Sequence, residues 1–125
     1  MAKATGLGGV FLRARDPKGL AAWYAEHLGL PVKDWGGVVF VWDECAAPEG
    51  HGVTVWSLFP ADTEYFGEGE QEAMLNFRVD DLDVLLEELA AKGVWVDPKR
   101  QDEANGRFGW IRDGEGNRVE LWEPR

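Results

Sequence analysis

The chain has 125 residues, enough for one packed core and few for two, and its 45% apolar and 29% charged residues, with seven Trp and six Phe, are those of a folded protein. Thirteen Lys and Arg against twenty-three Asp and Glu leave a net charge of −10, a field that repels phosphate backbones and anionic lipid, so neither nucleic acid nor a membrane is expected as a partner. The opening MAKATGLGGVFLRA lacks the apolar stretch of a secretory signal, no run reaches the roughly 18 apolar residues of a membrane span, and the expected location is the cytoplasm.

In chain order, GVFLRA alternates as a strand does. DPKGLAAWYAEHLGLPV then offers Asp16 as helix N-cap, Pro17 at the first helical position, Leu20, Trp23, Tyr24 and Leu28 at helical spacing, and Gly29 as terminator. Three β-like runs follow, PVKDW, GVVFVW and GVTVWSLF. Between the last two lie Cys45, the only cysteine, which excludes an internal disulfide and a Cys-rich metal site and fits a reducing compartment, and His51; both read as loop residues. His27, the other histidine, belongs on the solvent side or at the end of its helix.

FPADTEYFGEGEQE has the Pro, Gly and acidic residues of a surface linker. Tyr65 and Phe66 in it either fold over a cleft mouth or pack on a sheet edge. The first half then repeats in outline: MLNFRV as a strand, DLDVLLEELAAKGVWV as a helix capped by Asp81 with Leu82, Leu85, Leu86 and Leu89 as its stripe and Lys92-Gly93 at its end, and VWV, RFGWIR and RVELWE as three strands. The capping aspartates lie 65 positions apart and the terminating glycines 64. The expected fold is therefore α+β, one domain over 1–125 made of two βαβββ modules, about 5–60 and about 72–124, joined by a linker at about 60–71. One helix per module covers one sheet face, and two sheets facing each other would cover the rest and leave a cleft.

Strand parity sorts side chains between helix and cleft. Val10, Leu12, Ala14, Leu75, Phe77, Val79, Val119, Leu121, Gly109, Ile111, Val53 and Val55 are assigned inward. Gly9, Phe11, Arg13, Met74, Asn76, Arg78, Phe108, Trp110, Arg112, Arg118, Glu120, Trp122, Thr54, Trp56 and Leu58 are assigned to the cleft, with Phe40 and Trp42 as the bulky members of a strand that parity cannot sort. The result is an aromatic hollow with Arg and Asn as polar points, suited to a small molecule, although a dimer interface or a closed core has the same composition.

The paired pattern, with RDPKGLAAWYAEHLGLPV, NFRVDDLDVLLEEL and the closing DGEGNRVELWEP, resembles the vicinal oxygen chelate superfamily of glyoxalase I, bleomycin-resistance proteins, extradiol dioxygenases and fosfomycin-modifying enzymes. The resemblance implies curved sheets around a cleft, a homodimer, and, in metal-dependent members, four ligand positions for a divalent cation on the first and last strand of each module. Here those positions fall on Gly9, Trp56, Met74 and Glu120, of which only Glu120 can ligate. No cofactor is expected, although a divalent metal is what the superfamily would bring. Glu120 is then either a general base or half of a structural pair with Arg118 or Arg112. The function expected is metal-free binding of a small molecule between aromatic walls; a superfamily lyase, isomerase or dioxygenase using Glu120 or a metal is the alternative, and a non-catalytic interaction domain is a third.

Overall fold

Two aspartates begin the helices, as their caps require. The computed structural model describes residues 2–42, 52–67 and 70–125, so Cys45 and His51 lie outside the described residues. Asp16 accepts a hydrogen bond from the Gly19 N–H at 3.1 Å to start α1 (Pro17–Leu28), and Asp81 accepts one from the Val84 N–H at 3.2 Å to start α2 (Leu82–Ala91). Gly29, at φ 68°, ends α1 in the left-handed conformation that glycine adopts without steric cost.

The strands are β1 (Ala4–Ala14), β2 (Gly37–Val41), β3 (Val53–Pro60), β4 (Ala73–Val79), β5 (Gln101–Glu103), β6 (Gly106–Arg112) and β7 (Arg118–Pro124). Two expected strands do not form. PVKDW turns instead: the Lys33 N–H donates to the Gly37 carbonyl at 2.8 Å and the Gly36 N–H to that of Lys33 at 2.9 Å. VWV contributes a single bridge, Val96 to Ile111, and the first strand after α2 is instead the short, unanticipated β5. The first half is thus βαββ and the second βαβββ.

All seven strands form one sheet in the order β2-β3-β1-β4-β7-β6-β5. Within each half the first strand runs parallel to the last across its helix (β1 with β3, β4 with β7), and the halves meet at an antiparallel β1–β4 pair. The modules therefore join edge to edge within one chain rather than as two facing sheets. The sheet curls into a half-barrel with a cleft.

Both helices pack on one face. Leu82 and Leu86 of α2 meet Val79, Val119 and Leu121, with Phe77 and Ile111 beside them. Ala21 of α1 meets Ala14 and Leu58, with Leu12, Leu20 and Trp56. Trp23 and Leu28, expected on the buried stripe of α1, are 48% and 63% exposed; Ala21 takes the central contact, with Leu20 beside it. The opposite face gathers Phe11, Met74, Trp110 and Phe66, with Val55, Phe59, Tyr65 and Phe108 around them. Strands from both halves meet there because the sheet curls.

Candidate functional site

The concave face holds the two buried polar side chains among the described residues, Glu120 at 2% exposure and Asn76 at 3%. They are cross-strand partners, since β4 and β7 pair Asn76 with Glu120. Three donors converge on the carboxylate. Asn76 Nδ2 gives a hydrogen bond to Oε1 at 2.6 Å, Trp110 Nε1 gives one to Oε2 at 2.9 Å, and the Tyr65 hydroxyl gives another to Oε2. Burial pushes the Glu120 carboxyl above its ordinary range, and these three bonds and the more distant Arg118 charge pull back against that rise. Tyr65 is also driven upward, first by burial and then by the Glu120 charge, so its hydroxyl stays protonated and continues to donate.

A cavity of about 260 Å³ opens beside this cluster. Gly8 and Phe11 of β1, and Val55, Ser57 and Phe59 of β3, form one wall; Phe108 and Trp122 form the other, their rings stacked with centroids 6.3 Å apart. Tyr65, Asn76 and Glu120 lie at its base and Asn105 at its mouth. Larger depressions, of about 620 and 600 Å³ along half-buried Arg13 and exposed Arg15 and of about 480 Å³ between α1 and the turn at Lys33–Gly36, bring no buried polar groups together, so the smaller cavity is the candidate site.

Of the residues assigned to the cleft from the sequence, Phe11, Asn76, Phe108, Glu120 and Trp122 line the cavity. Met74 and Trp110, fully enclosed, form the packed layer against which it is built. Four aromatic or apolar assignments are corrected. Trp56 and Leu58 face α1, where the Trp56 ring meets Tyr24 edge-on with centroids 4.8 Å apart. Phe40 and Trp42 are 42% and 46% exposed and line no part of the cavity; Trp42 Nε1 donates to Thr54 Oγ1, itself turned to the Leu7 carbonyl. The residues of β3 on the concave side are Val55, Ser57 and Phe59, the reverse of the expected parity.

The arginines are corrected as well. Arg13 donates to the Gln71 and Ala61 carbonyls and covers Phe66, holding the linker in place. Arg112 lies over Trp95 and bonds the Gly116 carbonyl. Arg118 pairs with Asp97 at 3.0 Å and covers Trp110, so it acts on Glu120 only through space. Arg78 is half-buried and lines no part of the cavity. Neither Arg118 nor Arg112 forms the expected pair with Glu120; neutral donors take that role. His27 sits on α1 as expected, stacked on Trp23 with Nδ1 2.8 Å from the Trp23 carbonyl oxygen.

Tyr65, which the sequence left between the cleft mouth and the sheet edge, lines the cavity and donates to Glu120. Its signal was an aromatic pair, Tyr65-Phe66, in an otherwise acidic linker. Phe66 is wholly buried and anchors the turn that delivers Tyr65. Ser57 could have been found by register. Phe11 pairs with Ser57 as Asn76 pairs with Glu120, and Phe11 and Asn76 each stand five residues before a capping Asp. Ser57, not Trp56, is therefore the first-half counterpart of Glu120.

The donor set does not fit the divalent cation of the superfamily. Gly9 and Met74 carry no ligand, Ser57 stands opposite Glu120, and both carboxylate oxygens are engaged by protein donors. No three His, Cys, Asp or Glu side chains converge among the described residues.

The sequence model of a glyoxalase-like domain matches residues 9–122. In fold, the chain is similar to methylmalonyl-CoA epimerase from Mycobacterium tuberculosis, at 24% identity and a TM-score of 0.64, over 98% of this chain and 89% of that one. It is similar to Streptomyces coelicolor methylmalonyl-CoA epimerase in complex with 2-nitronate-propionyl-CoA, at 15% identity and a TM-score of 0.73, over 98% and 99% of the two chains. A glyoxalase/bleomycin resistance protein/dioxygenase superfamily member from Vibrio splendidus 12B01 gives 13% identity and a TM-score of 0.56, over 98% and 99%. No curated protein matches the sequence. At such identities the likeness is one of fold, and one fold carries many reactions.

Proposed function

The chain belongs to the glyoxalase-like domain family, and from that premise we propose that it binds a small, mainly apolar molecule, neutral or cationic, in the cavity based on Glu120 and Asn76. One observation carries this reading: the cavity is walled by Phe11, Phe59, Phe108 and Trp122 and contains a carboxylate, with no Lys or Arg in its lining. The cleft arginines that would have favoured an acidic ligand are engaged elsewhere. An acyl-CoA of the kind named for the epimerases carries several phosphates, and nothing lining this cavity would balance them. At about 260 Å³ the space falls just below the roughly 300–1,000 Å³ of drug-sized pockets, which favours a ligand of one or two rings. We infer that binding needs no divalent cation, because three of the four superfamily positions carry no ligand and both Glu120 oxygens already accept from protein donors.

A second reading has Glu120 as a general base. Its burial and raised pKa favour it, since a carboxyl closer to neutrality is a better match for proton transfer at working pH.

A thermal-shift and calorimetric panel of benzylamine, benzyl alcohol and benzoate tests the binding reading. The amine and the alcohol should bind and benzoate should not; preference for benzoate would overturn it. Trp122→Ala should weaken the amine by about tenfold, as expected for the loss of one aromatic contact worth about 0.5–2 kcal/mol.

A further inference from the structure

Resting on the cavity reading above, we infer that Asn76 selects the ligand by its hydrogen-bonding sense: its side-chain carbonyl takes an N–H of an aromatic ligand, so the natural ligand class is a planar heteroaromatic or aryl compound bearing an N–H donor. Beside the ionised carboxylate the amide has one productive orientation. Nδ2 donates to Glu120 Oε1 at 2.6 Å; turned round, the amide would set its oxygen against a carboxylate oxygen. Oδ1 is therefore an acceptor, and it is buried without a partner in the protein. A buried carbonyl left unpaired costs free energy that a ligand donor would recover.

The backbone beside this atom is built to leave room. The β1–β4 ladder pairs Leu7 with Phe77 and Gly9 with Asn76, and the register shifts between them, so Gly8 is the extra residue of a bulge. A Cβ on Gly8 would stand 2.2 Å from Asn76 Oδ1 and 3.2 Å from the Trp122 ring. Any other residue would drive the amide from its place. Gly8, Asn76 and Trp122 share the cavity wall, so the unpaired carbonyl sits next to the ring against which a flat ligand would lie. Of the other polar groups at the base, Tyr65 donates to Glu120 and Glu120 accepts from the protein at both oxygens, whereas Asn76 Oδ1 accepts from none.

Indole and benzofuran differ in one N–H at nearly constant shape, and their affinities for the wild-type protein by calorimetry test the inference. Indole should bind about tenfold more tightly. Equal affinities would overturn the role of Asn76 and leave the cavity reading standing, whereas binding of neither would overturn both. Asn76→Ala and Gly8→Ala, each checked by circular dichroism for a native fold, should both erase the preference for indole over benzofuran. A preference that survives in both variants would place the donor on another group and overturn the assignment. The pair in wild-type protein decides the question even where a variant fails to fold.

Discussion

Glu120 shows how neutral donors, rather than an arginine, can hold a carboxylate inside an apolar face. Because its folded pKa is raised, the folded state holds its proton over a pH range in which the unfolded chain has released it, so stability falls as pH rises from the ordinary carboxylate range through the raised value. Glu120→Gln should remove that slope. Denaturant melts of the two proteins should nearly coincide at pH 4 and diverge above it, with the variant the more stable; a gap that narrows with rising pH would contradict the assignment. Tyr65→Phe removes one donor from the ionised acid, and should cost about 1.5–3 kcal/mol at pH 8, the worth of a hydrogen bond to a charged group, and less at pH 4. The position of Glu120 on the concave face was legible from the alternation of Arg118, Val119, Glu120 and Leu121. Its partners were not. Parity says which face a side chain takes, but not how far along the strand the cavity extends, and Arg13 and Arg112 lie beyond it, where carbonyls and an indole are nearer. Tyr65 arrives from a linker whose path is set by contacts distant in sequence.

Among the elements, the helices could be read almost to the residue because their signals are local: an aspartate whose side chain takes a backbone N–H, and a glycine free to turn left-handed. Asp16→Ala and Asp81→Ala should each cost about 1 kcal/mol by thermal melting. The two helices differ in what they bury. Leu86→Ala, in the centre of the α2 contact, should cost about 2–5 kcal/mol, whereas Leu28→Ala, at the exposed end of α1, should stay within about 0.5 kcal/mol. Strand β3 defeated the alternation rule for a physical reason. It is covered on both faces, by α1 through Trp56 and Leu58 and by the aromatic cluster through Val55 and Phe59, so neither set needs to be polar and the sequence does not distinguish them. PVKDW has β-like residues, yet its Pro31 and Asp34, with the Gly36 that follows at φ 93°, favour the turn that forms.

For the molecule as a whole, duplication was visible in the spacing of the capping aspartates, but the manner of joining was not, since facing sheets and abutting sheets bury the same apolar alternation. The join proves to be a backbone ladder between β1 and β4, supported by the aromatic cluster that both halves supply. Severed between residues 67 and 70, each half would be left with its innermost strand bare along one side and its share of the aromatic layer uncovered. Fragments 1–67 and 70–125, each poorly ordered alone, should find one another when mixed and recover the circular dichroism of the intact chain, because the covalent crossing contributes proximity while the recognition resides in the two strands themselves. A protein divisible in this manner would bring its cavity into being only on reunion, and ligand binding would then report the encounter of whatever two partners carried the pieces.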